Sequence, residues 1–200
     1  MKLCHWARRL VIPVLGAGVF WCAGSTLAQS ETRWTTNYYT VAGSTLPDIE
    51  ASMRRSRPAQ GQTEWQGFTK WNVTWRFTSQ TSASGCQPTS FSVQTALTTT
   101  LPRWQGSTNA TSLTRTNWIR FFQALSRHER GHAQFALDAA TELRKRLDEV
   151  GEAADCLALR ERIDALGKSV VDDAIAKEKQ YDIDTRHGVS QGAALRSAWR

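Results

Sequence analysis

From Trp118 to Leu147 the apolar positions recur at intervals of three and four: Trp118, Phe121, Phe122, Leu125, His128, His132, Phe135, Ala136, Ala139, Leu143 and Leu147. That spacing lies on one face only if the chain is helical. It predicts a single long helix from about Leu113 to Val150, with Gly151 as its stop. A helix this long cannot bury its own stripe, so the rest of the chain must supply a sheet or further helices to cover it. Leu157, Leu159, Ile163, Leu166, Val170, Ala174 and Ile175 supply a second helix, from about Ala154 to Lys179. Beyond it, Tyr181 to Arg200 reads as irregular, because Gly188 and Gly192 interrupt any pattern.

Ahead of the long helix the period is two. Trp65, Gly67, Thr69, Trp71, Val73, Trp75 and Phe77 share one face over 63–79, and Phe68, Lys70, Asn72, Thr74 and Arg76 share the other. This is a strand with one buried face. Arg33–Val41 and residues 90–100, through Phe91, Val93 and Thr95, read as further strands. Thr45-Leu46-Pro47-Asp48 starts a short helix that runs to about Ser56. Short loops between strands favour antiparallel pairing. The expected fold is therefore α+β: an antiparallel sheet of three to four strands packed on the long helix, with a second long helix beside it. The Trp65, Trp71 and Trp75 stripe is read as the packed face of that sheet, not as a carbohydrate platform.

The first 28 residues have another purpose. Lys2, Arg8 and Arg9 precede an apolar run from Leu10 to about Trp21, and small residues lead to Ala28. This is the order of a secretory signal peptide, and the run is too short to span a bilayer, which takes ~20 residues. Cleavage after Ala28 leaves a single domain, 29–200, secreted or periplasmic and with no stable membrane anchor. Losing Lys2, Arg8 and Arg9 leaves 22 basic against 18 acidic residues, a net charge of +4. The charges are interspersed and no nucleic-acid motif is present, so nucleic acid is not an expected partner. Cys86 and Cys156 remain, and an even pair in an exported chain predicts one disulfide.

Midway along the long helix stands His128-Glu129-Arg130-Gly131-His132. Histidines four apart project from one face of a helix and can share a metal ion at ~2.0–2.1 Å each. Glu129, one step round, is placed as a general base and then acid toward a water whose pKa bound zinc lowers to about 7. A polar cluster on an apolar stripe is costly unless it has a purpose. Catalytic zinc needs a third protein ligand. Asp138 is rejected, since on an unbroken helix it lies ~9 Å along from His132 and on another face. His187 is the expected third ligand, with Asp184, Asp182, Asp172, Asp173 and Glu178 as alternatives. If His187 binds, Asp182 or Asp184 can orient an imidazole, and Tyr181 can donate to a developing oxyanion.

These residues carry a resemblance. Tyr39-Thr40-Val41-Ala42-Gly43-Ser44-Thr45, the Trp71–Phe77 strand, Cys86, Leu101-Pro102, Trp118, the HERGH helix, Tyr181-Asp182 through His187-Gly188, and Gln191-Gly192 resemble the bacterial family of predicted secreted zinc-dependent proteases, domain of unknown function 922. The resemblance covers nearly all of 29–200. It implies a zincin-like fold, export and a Zn2+ cofactor. The expected function is a secreted zinc metallopeptidase whose partner is a peptide or protein substrate, for instance in the cell envelope. The alternative is a non-catalytic, zinc-stabilised envelope-binding module. The two differ in whether Glu129 matters.

Overall fold

The computed structural model describes residues 29–58 and 66–195. The signal peptide expected at 1–28 and the side chain of Trp65 lie outside them. The chain runs β1 (Gln29–Val41), α1 (Leu46–Ser56), β2 (Phe68–Thr81), β3 (Cys86–Trp104), α2 (Ser112–Asp148) and α3 (Cys156–Thr185), closing with a 3-10 turn at Val189–Gln191. The architecture is α+β, as the change of period predicts. Among the described residues no helix is long and apolar enough to cross a membrane.

The sheet has three strands in the order β1-β3-β2, and it is mixed where an antiparallel sheet was expected. β2 and β3 form an antiparallel hairpin, but β1 lies parallel to β3, with Trp34 opposite Leu97 and Val41 opposite Trp104. The reason lies in the connections. A short turn can join only antiparallel neighbours, so the β2–β3 hairpin is forced. β1 is followed by α1 and then by β2 on the far edge of the sheet, so β3 returns between them. With α1 and the whole of β2 intervening, the connection from β1 to β3 is long enough for the parallel sense. The hairpin register slips between Thr78 and Ser79, where Pro88, lacking an N–H, faces Ser79.

Local chemistry sets the helix starts. Thr45 and Asp48 cap α1 reciprocally, satisfying its orphan donors. Thr111 caps α2, accepting from the Thr114 amide at 3.1 Å, and Asp155 caps α3, accepting from the Ala158 amide at 2.8 Å. α2 spans 37 residues, so it passes under the whole sheet and serves two cores. Toward its C-terminal half, Ala133, Ala136, Leu143 and Leu147 pack with Val93 and Leu97 of β3 and with Leu159 and Ile163 of α3. Toward its start, Trp118, Phe121 and Leu125 pack with Ile49 and Met53 of α1 and with Val41. His128 and His132 lie between the two clusters. Trp71, Trp75 and Phe77 pack against the first, so the tryptophan stripe is the packed face of β2.

α3 continues well past Lys179. It ends at Thr185, six residues later, and so carries Tyr181 and Asp182 on helix rather than loop. Cys86 and Cys156 form the expected disulfide across 70 residues. It ties the first residue of β3 to the first residue of α3. Replacing both cysteines by alanine is expected to lower the free energy of unfolding by about 4 kcal/mol, from the chain entropy of a loop this long. Denaturant unfolding of the oxidised protein and of the double variant measures it.

Candidate metal centre

The centre is made by two helical residue pairs facing each other. His128 and His132 lie one turn apart on α2. Glu178 and Asp182 lie one turn apart on α3. Each pair has the four-residue spacing that shares a helix face. His128 meets Asp182, and His132 meets Glu178 and Asp182. His128 Nε2 and His132 Nε2 are 3.2 Å apart. Asp182 Oδ1 is 3.3 Å from the first and 3.1 Å from the second. A tetrahedral ion with bonds of ~2.0–2.1 Å separates its ligand atoms by about 3.3–3.4 Å. The three donors therefore have the spacing of one face of such a tetrahedron, and together they could hold a metal ion.

Two further observations favour a cation at that point. Both imidazoles have the other nitrogen occupied: His128 Nδ1 lies 3.1 Å from Gln191 Oε1, and His132 Nδ1 lies 3.0 Å from Glu178 Oε1. Donation from each Nδ1–H leaves both Nε2 lone pairs pointing inward. Asp182 Oδ1 is buried and has no hydrogen-bond donor among the described residues. Three lone pairs then converge in a buried space, an arrangement that a positive charge relieves.

The groups behind the donors are closely fitted. The Tyr181 ring stacks on His128 with centroids 5.1 Å apart, and its hydroxyl approaches the His128 carbonyl at 3.4 Å and Gln191 at 3.1 Å. A Cβ on Gly131 would sit 2.4 Å from that hydroxyl, so the glycine of the HERGH motif is the space the tyrosine occupies. Gly188, at φ +80°, brings the chain so close to His128 that a Cβ there would stand 2.8 Å from the ring. Trp71 reaches across from β2 and donates to Glu178 Oε1 at 3.0 Å.

Glu129 is buried beside the donors but is not one of them. Thr69 of β2 donates to its Oε2 at 3.0 Å, and Thr69 is within 3.2 Å of the Thr99 hydroxyl. Oε1 has no hydrogen-bond partner among the described residues. Burial pushes the Glu129 carboxyl up to about 7, against the opposing pull of His132 and the Thr69 hydrogen bond. Burial also holds His128 below the usual imidazole range, assisted by the neighbouring His132. At His132 burial is outweighed, and the hydrogen bond to Glu178 with the nearby Asp182 raises it.

The sequence-predicted residues thus separate. His128, His132 and Glu129 meet as expected. Asp182 stands third to the two imidazoles, in the place expected for His187. The His187 ring lines the same cleft and approaches the other Asp182 oxygen at 3.4 Å, so it sits behind the carboxylate. Tyr181 turns its hydroxyl to the back of His128 and not into the cleft. Asp184 is exposed and accepts from Gln180 at 2.7 Å. Asp172 and Asp173 pair with Lys168 and Lys177 on the outer face of α3, and Asp138 is bonded to Gln134. Nothing in the sequence points to Gln191 or Thr69 as part of the site, and it marks Trp71 only as a packing residue. Only the four-residue spacing of Glu178 and Asp182 could have been read, given a helix that reached that far.

Donors and Glu129 open onto a cleft of about 510 Å³. One wall is the start of β2, Gly67 to Lys70, and the other is the end of α3 with the turn after it. Residues 36–188 match a protein family described as "Bacterial protein of unknown function (DUF922)". No curated protein and no solved structure matches the chain.

If Asp182 is the third donor, Asp182→Asn weakens zinc binding far more than His187→Asn does. Glu178→Gln, which changes the carboxylate that His132 Nδ1 and Trp71 share, costs about 10–100-fold in affinity. Competition titration with a chromophoric chelator measures all three.

Proposed function

The chain belongs to the bacterial family of unknown function DUF922, and on the geometry of its cleft we propose that it is an exported zinc hydrolase that cleaves peptide bonds. His128 Nε2, His132 Nε2 and Asp182 Oδ1 hold the ion. Two imidazoles and a carboxylate with one position open is a donor set suited to catalytic zinc, whereas structural zinc sites are closed by four protein ligands. Zinc bound there supplies a Lewis acid at the bottom of an open cleft and lowers the pKa of water.

One observation carries the reading: Glu129 is buried beside the three donors, with Oε2 anchored by Thr69 and no hydrogen bond to Oε1 from the described residues. A carboxylate in a buried site costs free energy. A purely structural ion would not need it. As general base it takes the proton of the attacking water on Oε1, and it then returns that proton to the departing amine nitrogen. Thr69 fixes the rotamer so that the transfer needs no reorientation. The hydrogen bonds of Gln191 and Glu178 keep the two imidazoles in the tautomer that presents Nε2.

The walls of the cleft support a peptide as the substrate. β2 is an edge strand, and its first residues border the cleft. An extended chain can lie along such an edge and use its free backbone groups. The disulfide supports a location outside the cytoplasm, in the periplasm or beyond.

Glu129→Gln keeps the shape of the side chain and removes the base. Hydrolysis of a broad peptide library by the zinc-loaded protein is expected to fall about 10²–10⁴-fold in the variant. Zinc content and thermal melting should remain those of the wild type. A chelator should abolish wild-type activity, and added zinc should restore it. Undiminished turnover by Glu129→Gln would exclude this mechanism.

A further inference from the structure

We propose that the cleft selects peptides that carry carboxylates beside the scissile bond, and that Lys70, Lys179 and Arg186 are the residues that select them. This deepens the peptidase reading and rests on it for the location of the scissile bond.

The three cations line the cleft from both sides. Lys70 projects from the β2 wall. Lys179 lies three residues before Asp182 and shares its face of α3, and Arg186 is the residue that caps the end of that helix beside the cleft. The lysines on the outer face of the same helix are neutralised: Lys168 pairs with Asp172 at 2.5 Å and Lys177 with Asp173 at 2.7 Å. Lys70, Lys179 and Arg186 are exposed and make no ion pair among the described residues. The acidic groups of the cleft have other partners. Glu178 receives from His132 and Trp71, Asp182 faces the two imidazoles, and Glu129 receives from Thr69. With a divalent cation at the donors, the charge of these carboxylates is largely offset, and the rim leaves the cleft positive overall.

The backbone supports a role for Arg186 in particular. Arg186 and His187 both have left-handed dihedrals, at φ 50° and 52°. That conformation costs a residue bearing a Cβ free energy, and a helix usually ends there on glycine. The turn is held nonetheless. The Arg186 and His187 amides donate to carbonyls of the last helical turn, at 3.1 and 2.8 Å. The Thr185 hydroxyl donates to the Tyr181 carbonyl at 2.7 Å and receives from the Gly188 amide at 3.2 Å. Two side chains are thus kept at the mouth of the cleft in a strained but well-determined position, as is common at binding sites. Leu125, Val189 and Ala193 also line the cleft, so the charged residues share it with apolar ones. An acidic residue next to a small or aliphatic one is the sequence that fits.

The test uses zinc-loaded protein and internally quenched peptides of one length that differ only in Glu, Gln or Lys on either side of a central aliphatic pair. Each is made with a free and with an amidated C-terminus, which separates side-chain from terminal carboxylates. The wild type is expected to favour the Glu peptide over the Gln peptide by about tenfold in kcat/KM at low salt, as three solvent-exposed ion pairs allow, with the preference shrinking as salt rises. In Lys70→Gln/Lys179→Gln/Arg186→Gln the ratio should fall to about one. Arg186→Glu should shift preference toward the Lys peptide, a gain that misfolding cannot produce. Binding of the same peptides to zinc-loaded Glu129→Gln, read by fluorescence anisotropy, provides a measurement that does not need turnover. Charge-selective binding without hydrolysis by the wild type keeps the selection of carboxylates by Lys70, Lys179 and Arg186 and removes the peptidase reading together with its scissile bond. Hydrolysis or binding indifferent to Glu, Gln and Lys, a ratio unchanged in the triple variant, or no binding of any peptide overturns it.

Discussion

The structure depends on a contact between two helical turns. His128 and His132 on α2 face Glu178 and Asp182 on α3, running in opposite directions, so that each imidazole meets a carboxylate. Three of the four side chains direct a lone pair to a common point, with separations of 3.1–3.3 Å. Such a cluster would be costly in an apolar interior, and it lies between two apolar clusters that share α2. The features around it serve to hold that convergence. Gln191 and Glu178 fix the tautomers, Trp71 fixes Glu178, and Thr69 fixes Glu129.

Small residues let the two helices and the terminal turn come close enough. Gly131 gives up its Cβ so that Tyr181 can lie over His128, and Gly188 does the same for the turn that carries Gln191. The HERGH motif thus contains three kinds of information in five residues. Its histidines are donors, its glutamate is the poised base of the proposed chemistry, and its glycine is a packing site for α3. The sheet contributes through one edge. β2 supplies the anchor for Glu129 and one wall of the cleft, and the hairpin with β3 keeps that wall rigid.

Much of this was readable from spacing. The period of 3.6 locates α2 to within two residues at either end, and the period of two identifies the packed face of β2. Pairing direction was not readable for β1, because alternation says which face of a strand is buried and nothing about which way its neighbour runs. The length of α3 was also hidden. Tyr181, Asp182, Ile183 and Thr185 are indifferent helix formers, and the glycines beyond them suggest a loop. The helix persists there because Tyr181 and Asp182 have partners on α2, and those contacts outweigh local propensity.

By itself, then, the sequence determined two histidines and a glutamate in one turn of a long buried helix, a disulfide between Cys86 and Cys156, and a one-faced sheet to cover the helix. These are properties of single elements or of residue type, and periodicity encodes them directly. The tertiary structure alone decided that Asp182, with His187 behind it, stands third to the imidazoles, and that Lys70, Lys179 and Arg186 line one cleft. Those outcomes depend on the rotation and register of α3 against α2. That register is set by the fit of Tyr181 to Gly131 and of Trp71 to Glu178, contacts between residues 50 and 107 positions apart, and no local pattern in the chain records them.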